Sequence, residues 1–233
     1  LEANINSSLA NIKIMAAPHL NPRNCVVAGT GVNGSHAMEF TGREVFLKGF
    51  EIDVADTGFV ACAIRGRYSK LHDMVFTSDG AIVDPAAGLY LIPKASVEDA
   101  SFVEVINCQI DYCATGLLFG FQVGDFPGAT NVRIEGCRFR KNTTRDIGQD
   151  GSSFINAVEI FNNKFTGPIG IGTTGKFIKL SEVSNGEDDI NVIAGNYFAD
   201  DAITSTGDIH LTNTSTAFKL VGNYDKAGLI TAI

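Results

Sequence analysis

Apolar and polar residues alternate in this chain within an eight-residue unit that keeps returning. Val158–Phe165 reads VEIFNNKF, and the same residue types fill the same slots in Val103–Ile110 (VEVINCQI), Val132–Phe139 (VRIEGCRF) and Asn191–Phe198 (NVIAGNYF). Val45–Ile52, Ser69–Phe76 and Phe218–Asp225 are weaker copies. Slot three is Leu47, Leu71, Val105, Ile134, Ile160, Ile193 and Leu220. Slot six is Phe50, Met74, Cys108, Cys137, Asn163, Asn196 and Asn223, and slot eight is Ile52, Phe76, Ile110, Phe139, Phe165, Phe198 and Asp225.

Alternation at slots one and three is the strand period. Slot-six residues follow one another at intervals of 24, 34, 29, 26, 33 and 27 residues. A short strand returning at such variable intervals fits a coil of fixed cross-section with loops of different length. The pattern predicts an all-β fold, a right-handed parallel β-helix. Rungs about 4.8 Å apart place equal slots over one another, so slots three and eight become interior columns. Slot six is expected to take a sharp bend, which Asn tolerates through the left-handed region. Asn163, Asn196 and Asn223 should then form an amide ladder, continued by Cys108 and Cys137 as small apolar fillers.

Leu1–Ala10, with Leu1, Ile5 and Leu9 on one helical face, predicts a short helix capping the open end of the coil. Residues 1–16 are thus read as cap and first strand, and 17–233 as the β-helix. Further strands are expected at Cys25–Ala28, Ala37–Phe40, Phe59–Ile64, Gly88–Ile92, Gly116–Gly120, Gly175–Leu180 and Asp208–Leu211. Longer intervals place excursions at Asp79–Asp99, Gly167–Thr174 and Ser181–Asp189, where a solenoid keeps specificity because its core slots are committed to packing. Leu1 is expected to be the edge of a longer or processed protein, and the apolar Leu229–Ile233 points to a partner or a further segment.

A chain of 233 residues with 25 Gly suits one elongated domain. The formal charge of −8 disfavours nucleic acid as a partner. No apolar run approaches the ~18 residues of a membrane span, so no membrane insertion is expected. The five Cys lack metal or disulfide spacing; Cys108 and Cys137, on neighbouring rungs, fall within bridging range but are read first as stacked free thiols. His19, His36, His72 and His210 are scattered without ligand spacing, so neither zinc nor a cofactor is expected. Glu187–Asp189 is a solvated loop or a calcium-binding run. Asn6, Asn33, Asn142 and Asn213 fit a short glycosylation pattern that is common by chance.

Three stretches carry a family likeness: HAMEFTGREVFLKGFEID (36–53), AIRGRYSKLHDMVF (63–76) and FVEVINCQIDYCATGLLF (102–119). Their rung style resembles the pectate-lyase-like β-helices of bacteriophage tailspikes. That resemblance implies a homotrimer on a virion tail, acting outside the cell, that binds and often cleaves a bacterial surface polysaccharide. Non-catalytic adhesins or structural rods, and non-viral polysaccharide lyases or hydrolases, share the architecture. The polygalacturonase motifs and the calcium-binding Asp cluster of pectate lyases are absent; Asp188-Asp189 and Asp200-Asp201 stand without companions.

Candidate chemistry sits on the outward slots. Slot two stacks Lys70, Glu104, Arg133 and Glu159, with Glu135 at slot four. Glu104 and Glu159, two rungs apart, are about 9.6 Å from each other at the strand spacing. That is near the upper end of the ~6.5–9.5 Å of an inverting glycosidase. Glu104, Glu135 and Glu159 are therefore the candidate catalytic carboxylates, the acid among them needing a raised pKa. The same residues also fit a surface ion ladder in which Arg133 lowers the pKa of both neighbours. Arg133, Tyr197 and Tyr224 are the candidate glycan contacts, the tyrosines stacking at outward slot seven. Asp111 and Arg140 repeat the opposite-charge stacking one position beyond slot eight.

Overall fold

Backbone groups of one rung find their partners in the next, and the whole architecture follows. The computed structural model of the chain describes residues 5–17, 20–29, 36–54, 60–77, 87–92, 100–120, 129–149, 155–166, 176–181, 190–199, 209–212, 218–225 and 228–229. Among these, strands assemble into three long sheets that run along one coil, with a two-stranded patch (Ala129–Thr130 with Ile155–Asn156) beside them. The fold is an all-β parallel solenoid.

The first sheet carries slot three. Its strands are Lys13–Met15, Phe46–Lys48, Lys70–His72, Glu104–Ile106, Arg133–Glu135, Glu159–Phe161, Asn191–Ala194 and Phe218–Val221. Leu71, Val105, Ile134, Ile160 and Ile193 are paired in that succession. The second sheet carries slot eight, from Val26–Gly29 through Gln109–Asp111 and Lys164–Thr166 to Tyr224–Asp225. It ends with Gly228–Leu229, which pairs antiparallel. Phe139, Phe165 and Phe198 stack face to face down its inner side, at ring separations of 5.0 and 4.8 Å. The third sheet holds His36–Phe40, Val60–Ile64, Ala87–Leu91, Thr115–Phe119, Lys176–Ser181 and Ile209–Thr212 among its strands. Slots three and eight are buried in every rung from Leu47 to Phe198, as the alternation requires.

The amide ladder forms at slot six. Asn163 Nδ2 donates to Asn196 Oδ1 (3.1 Å) and Asn196 Nδ2 to Asn223 Oδ1 (2.9 Å). Each amide also holds the backbone of the preceding rung. Asn196 Oδ1 accepts from the N–H of Asn163, and Asn196 Nδ2 donates to the carbonyl of Ile160. Cys108 and Cys137 do more than fill space. Their thiols lie 3.3 Å from the carbonyls of Leu71 and Val105, the slot-three groups that Asn bonds in later rungs. All five cysteines are free.

Two expectations need correction, and one strand is unexpected. The left-handed corner falls at slot five, not slot six: Gly49, Asp73, Asn107, Gly136, Asn162, Gly195 and Gly222 all have φ between 55° and 76°. That turn swings the following amide inward, where it meets the backbone of the rung before it. The position before slot one is a second such corner, and Tyr112 and Lys141 mark a third. Over the described part of Leu1–Ala10, a strand replaces the expected capping helix. Ile5–Ser7 pairs in parallel with Met38–Phe40, satisfying an open sheet edge that a helix would leave unbonded. Finally, Arg145–Gln149 belongs to the third sheet, although RDIGQ carries no apolar alternation. The 79–86 and 93–99 portions of one expected excursion, and Gly167–Thr174 with Glu187–Asp189, lie outside the described residues.

That unexpected strand brings in Asp146, which is fully buried. Asn142 Nδ2 donates to its Oδ1 (2.7 Å), while Oδ2 has no hydrogen-bond partner among the described residues. Asn142, itself buried, also accepts the N–H of Cys113, so it is a structural amide and not a glycosylation acceptor. Burial, offset in part by the Asn142 bond and reinforced by Asp111, pushes the Asp146 carboxyl up to about 8.

Two stability measurements test these features. Asn196→Ala orphans the Asn163 N–H and the Ile160 carbonyl inside the core. It should lower the unfolding free energy in urea by about 3 kcal/mol, at ~1–3 kcal/mol per unsatisfied group. Asp146 takes up a proton on folding at any pH between its ordinary carboxyl value and about 8. Its contribution is therefore full at acid pH and falls as pH rises through about 8. In urea titrations at pH 5, 7 and 9, Asp146→Asn should flatten that decline and be the more stable protein at pH 9. A parallel pH profile for the two proteins would contradict the assignment.

Candidate functional site

Outward side chains of the first sheet make the candidate site, because strand alternation turns slots two and four away from the core. The register is the one the repeat implies: Glu104 pairs with Arg133, and Arg133 with Glu159. The ion pairs differ from a simple ladder. Glu104 is held by Lys70 (2.9 Å) and faces His72 (3.4 Å) on the preceding rung. Arg133 reaches along its own strand to Glu135, with Nη2 2.7 Å and Nε 2.8 Å from the same oxygen. Arg133 thus bonds neither Glu104 nor Glu159. Partial burial raises the Glu104 carboxyl, but hydrogen bonds and charge from Lys70 and His72 outweigh it and leave it below its ordinary value. Glu104 is consequently held ionised, which suits a base or an ion-pair partner and not a general acid.

Glu159 opens onto a hollow of about 190 Å³, lined by Asn131, Val132, Arg133, Ala157, Glu159 and Ile190. Asn131, Arg133 and Glu159 are its polar lining residues, and Val132, Ala157 and Ile190 its apolar ones. Ile190 is half in water. Side chains of these types can offer both acceptors and donors to a polar ligand.

Residues that the repeat does not single out adjoin this hollow. Tyr68 and Phe102 hold the position before slot one, and Asn131, Ala157 and Ile190 follow them in that column. Successive backbone bonds, from Tyr68 N–H to Ser101, Phe102 N–H to Thr130 and Asn131 N–H to Asn156, tie the corner together. The two rings stack at 5.0 Å with 14° between their planes, and 47% and 45% of the two residues remain exposed. The only sequence signal for them is an aromatic residue directly before the eight-residue unit in two neighbouring rungs.

Tyr197 and Tyr224 do pair on successive rungs, with centroids 5.5 Å apart, but tilted by 50° and not flat. Lys164 lies over Tyr197 at 5.6 Å. These tyrosines belong to the second sheet, so the structure does not bring them to the glutamates of the first. On that second sheet Asp111 and Arg140 form the expected pair at 2.6 Å, with Gln109 also donating to Asp111. Arg23 bridges Asp111 (3.6 Å) and Glu51 (3.7 Å). Burial raises the Glu51 carboxyl against the pull of Arg23. This group reads as an ion network on a covered sheet face. Among the described residues no cluster of His, Cys, Asp or Glu has the arrangement of a metal site. None of the described helices is long and apolar enough to cross a membrane.

No protein-family model matches the chain. No curated protein matches it either. Among solved structures, the chain is similar to ORF18 of Geobacillus virus E2, with a TM-score of 0.44 and 13% identity over 97% of this chain. The match covers 50% of that protein, so the chain spans about half its length.

Proposed function

We propose that the chain is the glycan-recognising β-helix, right-handed like most parallel crossovers, of a phage tailspike or tail fibre. One observation carries the binding site: Asn131, Arg133 and Glu159 line a single hollow in the outer wall of the coil. Sugar hydroxyls both donate and accept, and this set answers both roles. The likeness of the rungs at 36–53, 63–76 and 102–119 to tailspike β-helices supports the viral setting and a virion or extracellular location. Homotrimer formation belongs to the same reading, because Phe46, Phe161 and Tyr197 leave part of their rings in water on the single chain.

Binding without cleavage fits the electrostatics better than depolymerisation. Hydrolysis by Glu104, Glu135 and Glu159 requires one of them to keep a proton near neutral pH. Glu104 is shifted the other way, and Arg133 holds Glu135 at 2.7 Å. Their spacing falls just beyond the ~6.5–9.5 Å of an inverting pair, with Glu104 and Glu159 two rungs apart, about 9.6 Å at the strand spacing. Cleavage is therefore the second reading.

Bacterial capsules, O-antigens and plant pectins, tested for binding and for new reducing ends, separate these readings. The expected result is binding to a bacterial glycan at a constant level of reducing ends. Glu159→Gln and Arg133→Gln should each weaken that binding about tenfold while leaving the melting temperature unchanged. Release of fragments that Glu159→Gln abolishes would establish the hydrolase instead, and cleavage of pectin alone would favour a non-viral enzyme. Light scattering of the purified chain checks the trimer.

A further inference from the structure

We propose that Tyr68 and Phe102 form a platform for a neutral sugar chain, which runs along the coil axis from these rings into the hollow at Arg133 and Glu159. This rests on the glycan-binding reading above and extends that site over two further rungs.

The backbone supplies the first argument. The position before slot one is left-handed at Asn11, Glu44, Tyr68, Phe102, Asn131 and Ala157, with φ between 50° and 60°. Such a corner favours Asn or Gly, and a bulky residue there is an outlier. The coil itself shows that no ring is needed, since Asn131 and Ala157 make the same corner two and three rungs after Tyr68. The core does not need these rings either, because close to half of each residue lies in water. Two neighbouring rungs thus carry large aromatics that the turn does not call for and that pack on each other outside the core. Strained residues of this kind gather at ligand clamps.

Geometry supplies the second. Rings 5.0 Å apart and within 14° of parallel lie face against face, so what they turn to solvent is an apolar strip of ring edges two rungs long. The apolar C–H positions of a sugar chain can lie along such a strip. Phe102 is followed in the column by Asn131 and Ala157, which line the hollow. A ligand lying along the axis passes one rung about every 4.8 Å and goes from rings to hollow without turning.

Charge supplies the ligand class. Glu104, Glu135 and Glu159 border this path, while Lys70 and Arg133 are already bonded to Glu104 and Glu135. Among the described residues, that leaves the Glu159 carboxylate as the charge without an ion-pair partner on this path, and it repels a uronate or sialate polymer where it does not repel a neutral one.

The chain contains no tryptophan, so Phe102→Trp gives a single fluorescent reporter on the platform. The full chain is titrated with hexaose fragments of neutral glucan, galactan, mannan and N-acetylglucosamine polymers, and with hexagalacturonate as the anionic probe. The expected result is a blue shift with at least one neutral fragment and none with hexagalacturonate. Tyr68→Asn and Phe102→Asn keep a residue suited to the left-handed corner, so they should melt like the parent. Each should weaken neutral-fragment binding about tenfold in calorimetry. Binding that survives both Asn variants but is lost in Glu159→Gln overturns the platform and leaves the hollow as the site. Preference for hexagalacturonate overturns the neutral class. Tryptophan emission already blue-shifted in a trimer without sugar means that a second copy covers the rings, and overturns the proposal. Binding to no fragment overturns it as well; the capsule and O-antigen assay then decides separately whether the glycan reading itself stands.

Discussion

Side-chain amides bonding the backbone of the preceding rung are what the coil depends on most. Apolar columns alone tolerate sliding, because one Ile or Phe packs on another over a range of offsets. A one-residue slip, however, would turn every inward residue of a strand outward. Asn196 is bonded at once to Asn163, Ile160 and Asn223, so a slip there breaks several buried bonds together. Where the column changes to Cys137 and Cys108, the thiol keeps only the donor to a slot-three carbonyl. Phe50 and Met74, earlier still, have no side-chain donor to offer. Register is thus specified most strongly in the later rungs, and the earlier ones lean on the core formed by Phe40, Leu47, Ile52 and Ile64.

Much of this was legible because a solenoid writes its core as a repeat. Slots three and eight could be aligned by eye, and their pairing follows from the alignment alone. The corner was harder. Gly, Asn and Asp at slot five and Asn at slot six are neighbours with overlapping preferences, and only backbone geometry shows that slot five makes the turn while slot six bonds across rungs. Arg145–Gln149 was invisible for a different reason. Its buried Asp146 is polar, and a polar residue in the core carries no periodic signal. At the start of the chain, the four-residue spacing of Leu1, Ile5 and Leu9 favoured a helix, but the open edge of the His36–Phe40 strand has the stronger claim on Ile5–Ser7.

The candidate site divides along the same line. Register placed Glu104, Arg133 and Glu159 in one column, and they are there. Register does not decide which way a long side chain turns. Arg133 took the carboxylate two residues along its own strand, and Glu104 took Lys70, leaving Glu159 to the hollow. Exposed pairs of this sort contribute little to stability. Their effect is to fix which charges a ligand meets.

That outcome separates recognition from proton chemistry. A general acid needs a carboxyl that holds its proton near neutral pH, and burial is what produces one. Burial leaves a net rise at Glu51, beside Arg23 on the second sheet, and at Asp146, enclosed next to Asn142. The hollow lies on the first sheet, where Glu104 is shifted downward by its cations. A coil whose interior is filled with stacked side chains must keep ligand contacts on its outer wall. There water reaches the carboxylates and cations are at hand to pair with them. An open outer wall therefore favours ionised carboxylates over protonated ones, which suits the proposed binding better than cleavage, unless a neighbouring subunit closes over the face.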